Sequence, residues 1–240
     1  MQAVILAGGL GTRLWPLTKT VPKPLVPVGG VPYLEHQMRL LKKQSITDVV
    51  LLIGYLGEQV REYFSDGADW GMHVRYSVEP QPLGTGGALR QAAALLSDTF
   101  LVIYGDSYLP IQYAEPYGRL LSAGVEGLIV AYDNRLGDTS VKNNIDIDDS
   151  GYVKVYDKDS PRELHYVEAG VLALRKSCLK LIPPAGPVSL EKEIFPLLIQ
   201  QRQLAAYITG QRFYDIGTAD RLRVIEEFLS HDHHPDPISN

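Results

Sequence analysis

The sequence predicts a single three-layer α/β/α domain of Rossmann-like build, with a mixed, mainly parallel sheet. Three observations carry that expectation. Short continuous apolar runs recur and are separated by segments of helical spacing, the pattern of βαβ units whose strands are covered on both faces. With 240 residues, 45% of them hydrophobic, the chain is long enough to bury one large core. Neither a linker-like stretch nor an internal repeat divides it.

The elements follow from periodicity. Residues 3–6 are a short apolar run ahead of a glycine cluster and read as the first buried strand. Pro32 stands at a favourable first helical position, and Leu34, Met38 and Leu41 recur at helical spacing behind it. Residues 49–53 are a second continuous apolar strand, 57–64 look helical, and 73–78 alternate as a strand does. Residues 88–96 are alanine-rich and helical, and 100–104 form a third buried strand. Beyond residue 110 the texture changes. Residues 144–147 and 152–156 flank Asp148-Asp149-Ser150-Gly151, a good hairpin turn. Another apolar strand spans 167–174, and helical patterns cover 191–201 and 219–229. One domain over residues 1–230 is expected, its first half to about 110 and its second from about 111. Residues 231–240 are polar, with two prolines and His231, His233 and His234, and read as a disordered tail.

Composition removes several function classes. A net charge of −5 gives no basic footprint for duplex nucleic acid, so no nucleic-acid partner is expected. The single cysteine, Cys178, excludes an internal disulfide framework and fits a reducing cytoplasm. The first residues lack a basic region ahead of their apolar run, and no apolar run approaches the roughly 20 residues of a membrane span. A cytoplasmic protein without membrane contact is therefore expected, with homo-oligomerisation left open.

The chemistry is concentrated where sheets of this kind bind ligands, at the carboxyl ends of the strands. After the first strand comes Leu6-Ala7-Gly8-Gly9-Leu10-Gly11-Thr12-Arg13-Leu14, then Pro22-Lys23-Pro24-Leu25. A glycine-rich turn lets backbone N–H groups approach phosphate oxygens, Arg13 can clamp phosphate in a bidentate way, and Lys23 supplies a point charge. The Gly-Lys-Ser/Thr ending of a Walker loop is absent. A dinucleotide fingerprint would need a third glycine where Leu14 stands. After the third strand comes Tyr104-Gly105-Asp106-Ser107, whose aspartate suits Mg²⁺.

The run resembles the signature of the sugar-phosphate nucleotidyltransferase family, L-A-G-G-x-G-T-R-L followed by P-K-P, and further matches extend to about residue 229. The resemblance implies that the first half binds a nucleoside triphosphate through Leu6, Ala7, Gly8, Gly9, Gly11, Thr12, Arg13 and Lys23. Arg13 gathers the leaving pyrophosphate and Lys23 neutralises the α-phosphate. Glu79-Pro80-Gln81-Pro82-Leu83-Gly84-Thr85-Gly86-Gly87 resembles the base-binding loop, with Glu79, Gly84 and Thr85 at the base. A carboxylate there can accept from both guanine N1–H and the N2 amine, whereas uracil or thymine offers one such donor; GTP is expected.

Phe213-Tyr214-Asp215-Ile216-Gly217-Thr218 resembles the second metal motif, so Asp106 and Asp215 are the expected Mg²⁺ ligands. Catalysis is assigned to Arg13, Lys23, Asp106 and Asp215. In the second half, Val167-Glu168-Ala169-Gly170 resembles the sugar-facing strand, and Lys158 takes the place of the lysine that binds the sugar phosphate. Asp157 stands where that motif has glutamate. With Asn144, the expected sugar-phosphate contacts are thus Asn144, Lys158, Glu168 and Gly170. Ser189-Leu190-Glu191-Lys192-Glu193 looks like a helix cap and resembles a segment of mannose- and heptose-type guanylyltransferases. Among family members the overall pattern resembles the D-glycero-D-manno-heptose 1-phosphate and mannose-1-phosphate guanylyltransferases. The activity implied is transfer of a nucleoside monophosphate from an NTP to a sugar 1-phosphate, releasing pyrophosphate. A uridylyl- or thymidylyltransferase is the alternative. A catalytically silent nucleotide-sugar sensor is another, but such a protein should lack one of Arg13, Lys23, Asp106 or Asp215, and all four are present.

Overall fold

The computed structural model describes residues 1–232. In chain order the elements are β1 (Gln2–Ala7), β2 (Pro27–Val28), β3 (Val31–Pro32), α1 (Tyr33–Lys43), β4 (Asp48–Ile53), α2 (Gly57–Phe64) and β5 (His73–Val78). There follow α3 (Gly84–Gln91), β6 (Thr99–Tyr104), β7 (Ser107–Tyr108), α4 (Ala114–Ala123) and β8 (Gly127–Tyr132). The chain then forms β9 (Ile145–Ile147), β10 (Val153–Tyr156), β11 (Val167–Arg175), α5 (Phe195–Gln200), β12 (Leu204–Thr209), β13 (Tyr214–Asp215) and α6 (Ala219–Asp232). The last helix runs through residue 232; the remainder of the expected 231–240 tail lies outside the described residues.

Seven strands form one sheet in the order β12-β8-β11-β6-β1-β4-β5. All pairings are parallel except those of β11, which runs against both β6 and β8, so the sheet is mixed and mainly parallel as expected. Strand alternation sorts the core into two layers. On one face Ala3, Ile5, Val49 and Leu51 pack with Leu34, Met38 and Leu41 of α1, Val60 and Phe64 of α2, and Leu120 of α4. On the other, Val4, Val50 and Leu52 pack with Ala88 and Leu89 of α3, Leu198 of α5, and Ile145 and Val153 of the β9–β10 ladder. α6 closes a third, smaller cluster with Val28, Tyr33 and Ile216 through Ile225 and Leu229.

Some boundaries differ from the sequence expectation, each for a local reason. α1 begins at Tyr33, because Pro32 is engaged in a two-residue ladder with Pro27. α3 starts at Gly84 rather than 88, since the Gly86 and Gly87 amides donate to the Val188 carbonyl (2.8 and 3.2 Å) and so cap glycines that read as loop. The helix expected over 191–201 opens with a wide turn at Leu190–Ile194. That turn relieves the clash of the Pro196 ring with the carbonyl four residues back. Among the described residues no helix is long and apolar enough to cross a membrane.

Leu51 is fully buried in the central layer, whereas Leu136 is 67% exposed. Leu51→Ala should lower the stability to urea by about 2–5 kcal/mol through lost burial and an unfilled cavity. Leu136→Ala should change it by no more than about 0.5 kcal/mol. Equal urea midpoints for the two variants would contradict this core assignment.

Candidate active site

The site forms where β1 and β6 end side by side. The Gly105 amide donates to the Leu6 carbonyl (2.9 Å), so the loop after β1 and the turn after β6 leave the sheet in contact. Gln37, buried on α1, holds the second turn from beneath: its side-chain amide donates to the Tyr104 carbonyl (2.9 Å) and the Ser107 carbonyl (2.6 Å). Asp106 is thereby presented at the rim. Its carboxylate meets Lys23 Nζ at 2.6 Å, a pair that joins residues 83 positions apart.

Asp215 reaches the same rim through the short β7–β13 ladder. In that ladder Asp215 faces Ser107, and the Ile216 amide donates to the Asp106 carbonyl (3.1 Å). The Asp215 carboxylate accepts from the Gly217 amide (2.7 Å) and from Arg221 on α6 (3.2 Å). A side-chain carbon on Gly217 would lie 3.5 Å from the Arg13 guanidinium, so Arg13 overlies this turn. Arg13 is exposed and holds no ion pair among the described residues. Tyr33 lies fully buried below. Burial first, and then the charges of Asp106 and Asp215, push its hydroxyl well above the ordinary value.

A cleft of about 560 Å³ opens over Arg13, Lys23, Asp106 and Gly217; the expected metal ligand Asp215, two residues before Gly217, does not itself line it. Leu6, Ala7, Gly8, Gly9, Gly11, Thr12, Arg13, Lys23, Glu79, Gly84, Thr85, Asp106 and Lys158 all line it. Glu79 is half-buried; its carboxylate accepts from the Leu83 amide (2.9 Å) and lies so close to Gly8 that any side chain there would collide with it. Burial raises the Glu79 carboxyl above its ordinary value, with the Leu83 amide opposing. Gly84 adopts φ +71°, and a side-chain carbon there would sit 2.5 Å from the Val188 carbonyl, so its freedom serves the packing of α3 against residues 186–190.

Three of the four residues expected on the sugar side do not line the cleft. Asn144 is buried, and its side-chain oxygen accepts from the Glu168 amide (2.9 Å), bracing β11. Glu168 is buried behind Tyr156, whose hydroxyl donates to it, and Lys158 stands 3.5 Å away. Burial raises its carboxyl above the usual range; Lys158 opposes this and Glu191 adds to it. Gly170, at φ +76°, lies directly against the Ser107 side chain.

Among the cleft residues the motif reading did not select are two with side chains able to hydrogen-bond, Tyr104 and Glu191. Thr85 Oγ1 donates to Glu191 (2.7 Å) and accepts from the Leu190 amide (2.9 Å); Ser189 and Tyr104 hydroxyls also donate to Glu191. Burial pushes the Glu191 carboxyl up, but these hydrogen bonds outweigh it and hold the group below its ordinary value. The capping pattern around Ser189 was the visible signal. Ser189 does cap the turn, accepting from the Lys192 amide (3.2 Å), while Glu191 turns inward.

The arrangement suits a polyanion held by backbone amides and cations, beside two hard carboxylates. The Nucleotidyl transferase family model matches residues 2–231. The chain is 33% identical over 225 residues to the mannose-1-phosphate guanyltransferase of Saccharomyces cerevisiae, covering 90% of this chain and 61% of that protein. It is thus only about three fifths the length of several such relatives. It is 30% identical over 220 residues to the D-glycero-alpha-D-manno-heptose 1-phosphate guanylyltransferase of Campylobacter jejuni, covering 92% of this chain and 96% of that one. HddC from Yersinia pseudotuberculosis, crystallised in complex with GMP-PN, superposes with a TM-score of 0.79 at 26% identity, over 95% of this chain and 99% of that one.

Thr85→Val keeps the shape of the side chain and removes both of its hydrogen bonds. With the Leu190 amide left unpaired and Glu191 short of a donor, the loss should be about 1–3 kcal/mol in urea denaturation. An unchanged midpoint would mean that the link between α3 and the 186–194 segment carries no stability.

Proposed function

The chain belongs to the nucleotidyl transferase family, and from that membership we propose that it transfers a guanylyl group from GTP to a sugar 1-phosphate of the mannose or heptose type, releasing pyrophosphate. The observation that carries this reading is the meeting of Lys23 with Asp106 beside the glycine-rich loop. It supports the reading by setting the glycine-rich loop and Asp106, the first of the two expected metal ligands, at one cleft. The relatives named above supply the guanine and the kind of sugar.

In this reading the part of the chain up to about residue 110 holds the nucleotide and residues 111–230 hold the sugar phosphate. The peptide N–H groups of loop 8–13 cradle the triphosphate. Lys23 neutralises the α-phosphate under attack, and Arg13 gathers the growing charge of the departing pyrophosphate. Lys158 receives the sugar phosphate. Its oxygen forms the new bond to the α-phosphorus as the bond to the bridging β-phosphate oxygen breaks. No base is needed, because the nucleophile is already an anion.

Two carboxylates brought to neighbouring strands by the β7–β13 ladder and the Ile216–Asp106 hydrogen bond, with phosphate oxygens arriving beside them, are a donor set that fits Mg²⁺. Asp106 and Asp215 would hold the ion, which when bound supplies charge neutralisation across the two substrates' phosphates.

The direct test is pyrophosphate release from GTP, UTP, dTTP, CTP and ATP with a panel of sugar 1-phosphates. Asp106→Asn and Asp215→Asn should each cut turnover at least about a hundredfold while the fold survives, as each removes a charged group from the charge-stabilising centre. Near-normal turnover in either would sink the metal assignment. Glu79→Gln should erode a preference for GTP of about five- to hundredfold over UTP, because guanine's paired donors lose an ionised acceptor. The preference should also fade as the pH falls toward the carboxylate range, and sooner than for an unperturbed glutamate, since burial raises the Glu79 carboxyl. A higher kcat/KM with UTP than with GTP would refute the base assignment.

A further inference from the structure

Both carboxylates assigned to the metal already have a cation of their own. Lys23 Nζ lies 2.6 Å from Asp106, with the lysine side chain 12% exposed. Arg221 Nη1 lies 3.2 and 3.3 Å from the two Asp215 oxygens, and its side chain is 26% exposed. The other terminal nitrogen of Arg221 donates to the Ser140 carbonyl (2.6 Å), in the segment between β8 and β9. That second bond anchors the guanidinium beside Asp215. Arg221 belongs to none of the motifs read above.

We infer that Arg221 and Lys23 are stand-in cations, each neutralising one carboxylate in the nucleotide-free protein, so that the divalent ion and the triphosphate load together. The inference rests on the reading of Asp106 and Asp215 given under Proposed function. With Lys23, Arg221 and the overlying Arg13 facing them, the two carboxylates present no net negative charge to a divalent ion arriving alone. Such an ion must displace an ammonium or a guanidinium from a partly desolvated pair. A triphosphate changes the balance. Exposed Arg13 can grip it first, and its anionic oxygens then offer Lys23 a new partner, which frees Asp106. Arg221 is a positioning residue in this scheme: it acts through Asp215 and keeps that carboxylate aimed at the rim.

The sign of the effect separates this role from a structural one. Binding of Mn²⁺ alone to the nucleotide-free full chain can be followed by electron paramagnetic resonance. Arg221→Met removes a unit charge at about 3 Å and should tighten Mn²⁺ binding about three- to tenfold, the reach expected for a mostly buried pair still in touch with solvent. Arg221→Lys keeps the charge and should stay near the wild-type affinity. Lys23→Met should tighten binding in the same direction from the other pair, so the result does not depend on one variant folding. Folded Arg221→Met and Lys23→Met proteins with unchanged or weaker Mn²⁺ binding would overturn the inference. A different outcome would strike the reading beneath it: Mn²⁺ binding that survives Asp215→Asn in the Arg221→Met background would show that Asp215 holds no metal.

Discussion

The hydrogen bond from the Gly105 amide to the Leu6 carbonyl is the constraint on which the site depends. It continues the β1–β6 ladder past its last paired residues, at the point where both strands turn out of the sheet. Parallel neighbours end at the same edge, so two loops remote in sequence are delivered together without any side chain having to find the other. Everything else is a local elaboration of that contact. Gln37 fixes the turn after β6 from below, and the β7–β13 ladder then adds Asp215 from the far end of the chain. This placement presents Asp106 at the rim, where Lys23 from the turn at residues 23–25 meets it at 2.6 Å and offsets part of the cost of desolvating each charge.

The first half of the fold was largely legible, because a central parallel strand must be apolar on both faces and so reads as an unbroken run. Residues 3–6, 49–53 and 100–104 lie within β1, β4 and β6. The second half was less so. β8 and β12 pair along their whole length across some 77 positions, Leu204 facing Gly127, and nothing local in their sequences marks that partnership. β12, Leu-Ala-Ala-Tyr-Ile-Thr, mixes helix-favouring alanines with strand formers, and only its place at the sheet edge decides the matter. α4 tolerates Pro116 because it stands in the first turn, where its missing N–H costs no helical bond, while the mid-helix Gly118 is overridden by packing against β8 and β11.

The site divides along the same line. Residues fixed by glycine turns at strand ends, from Gly8 to Arg13 and at Asp106, line the cleft, because turn chemistry is local. Asn144, Glu168 and Gly170 sit where long-range packing puts them: β11 is covered on both faces, so a polar residue within it is enclosed by its neighbours. Glu191 shows the reverse. A side chain in what reads as a helix cap is turned into the cleft by a wide turn that a proline three residues beyond Glu193 imposes. Arg221 carried no signal at all, since one arginine in an amphipathic helix looks like solvated surface until Asp215 is seen beneath it.

The reversed direction of β11 bears on how such a protein can be changed. Because this strand enters the sheet from the ligand edge, the chain between the end of β8 and the start of β11, residues 133–166, departs from and returns to that same edge. The excursion includes the β9–β10 hairpin and Lys158, and both of its anchors are strands already paired to each other. It is therefore one contiguous excursion whose exposed turns can vary in length without reordering the seven strands, while Ile145 and Val153 in the core, Asn144 against β11 and Ser140 against Arg221 fix its base. A fold wired in this way lets the loops that bring Lys158 to the cleft diversify while the glycine-rich loop at the β1–β6 corner stays fixed.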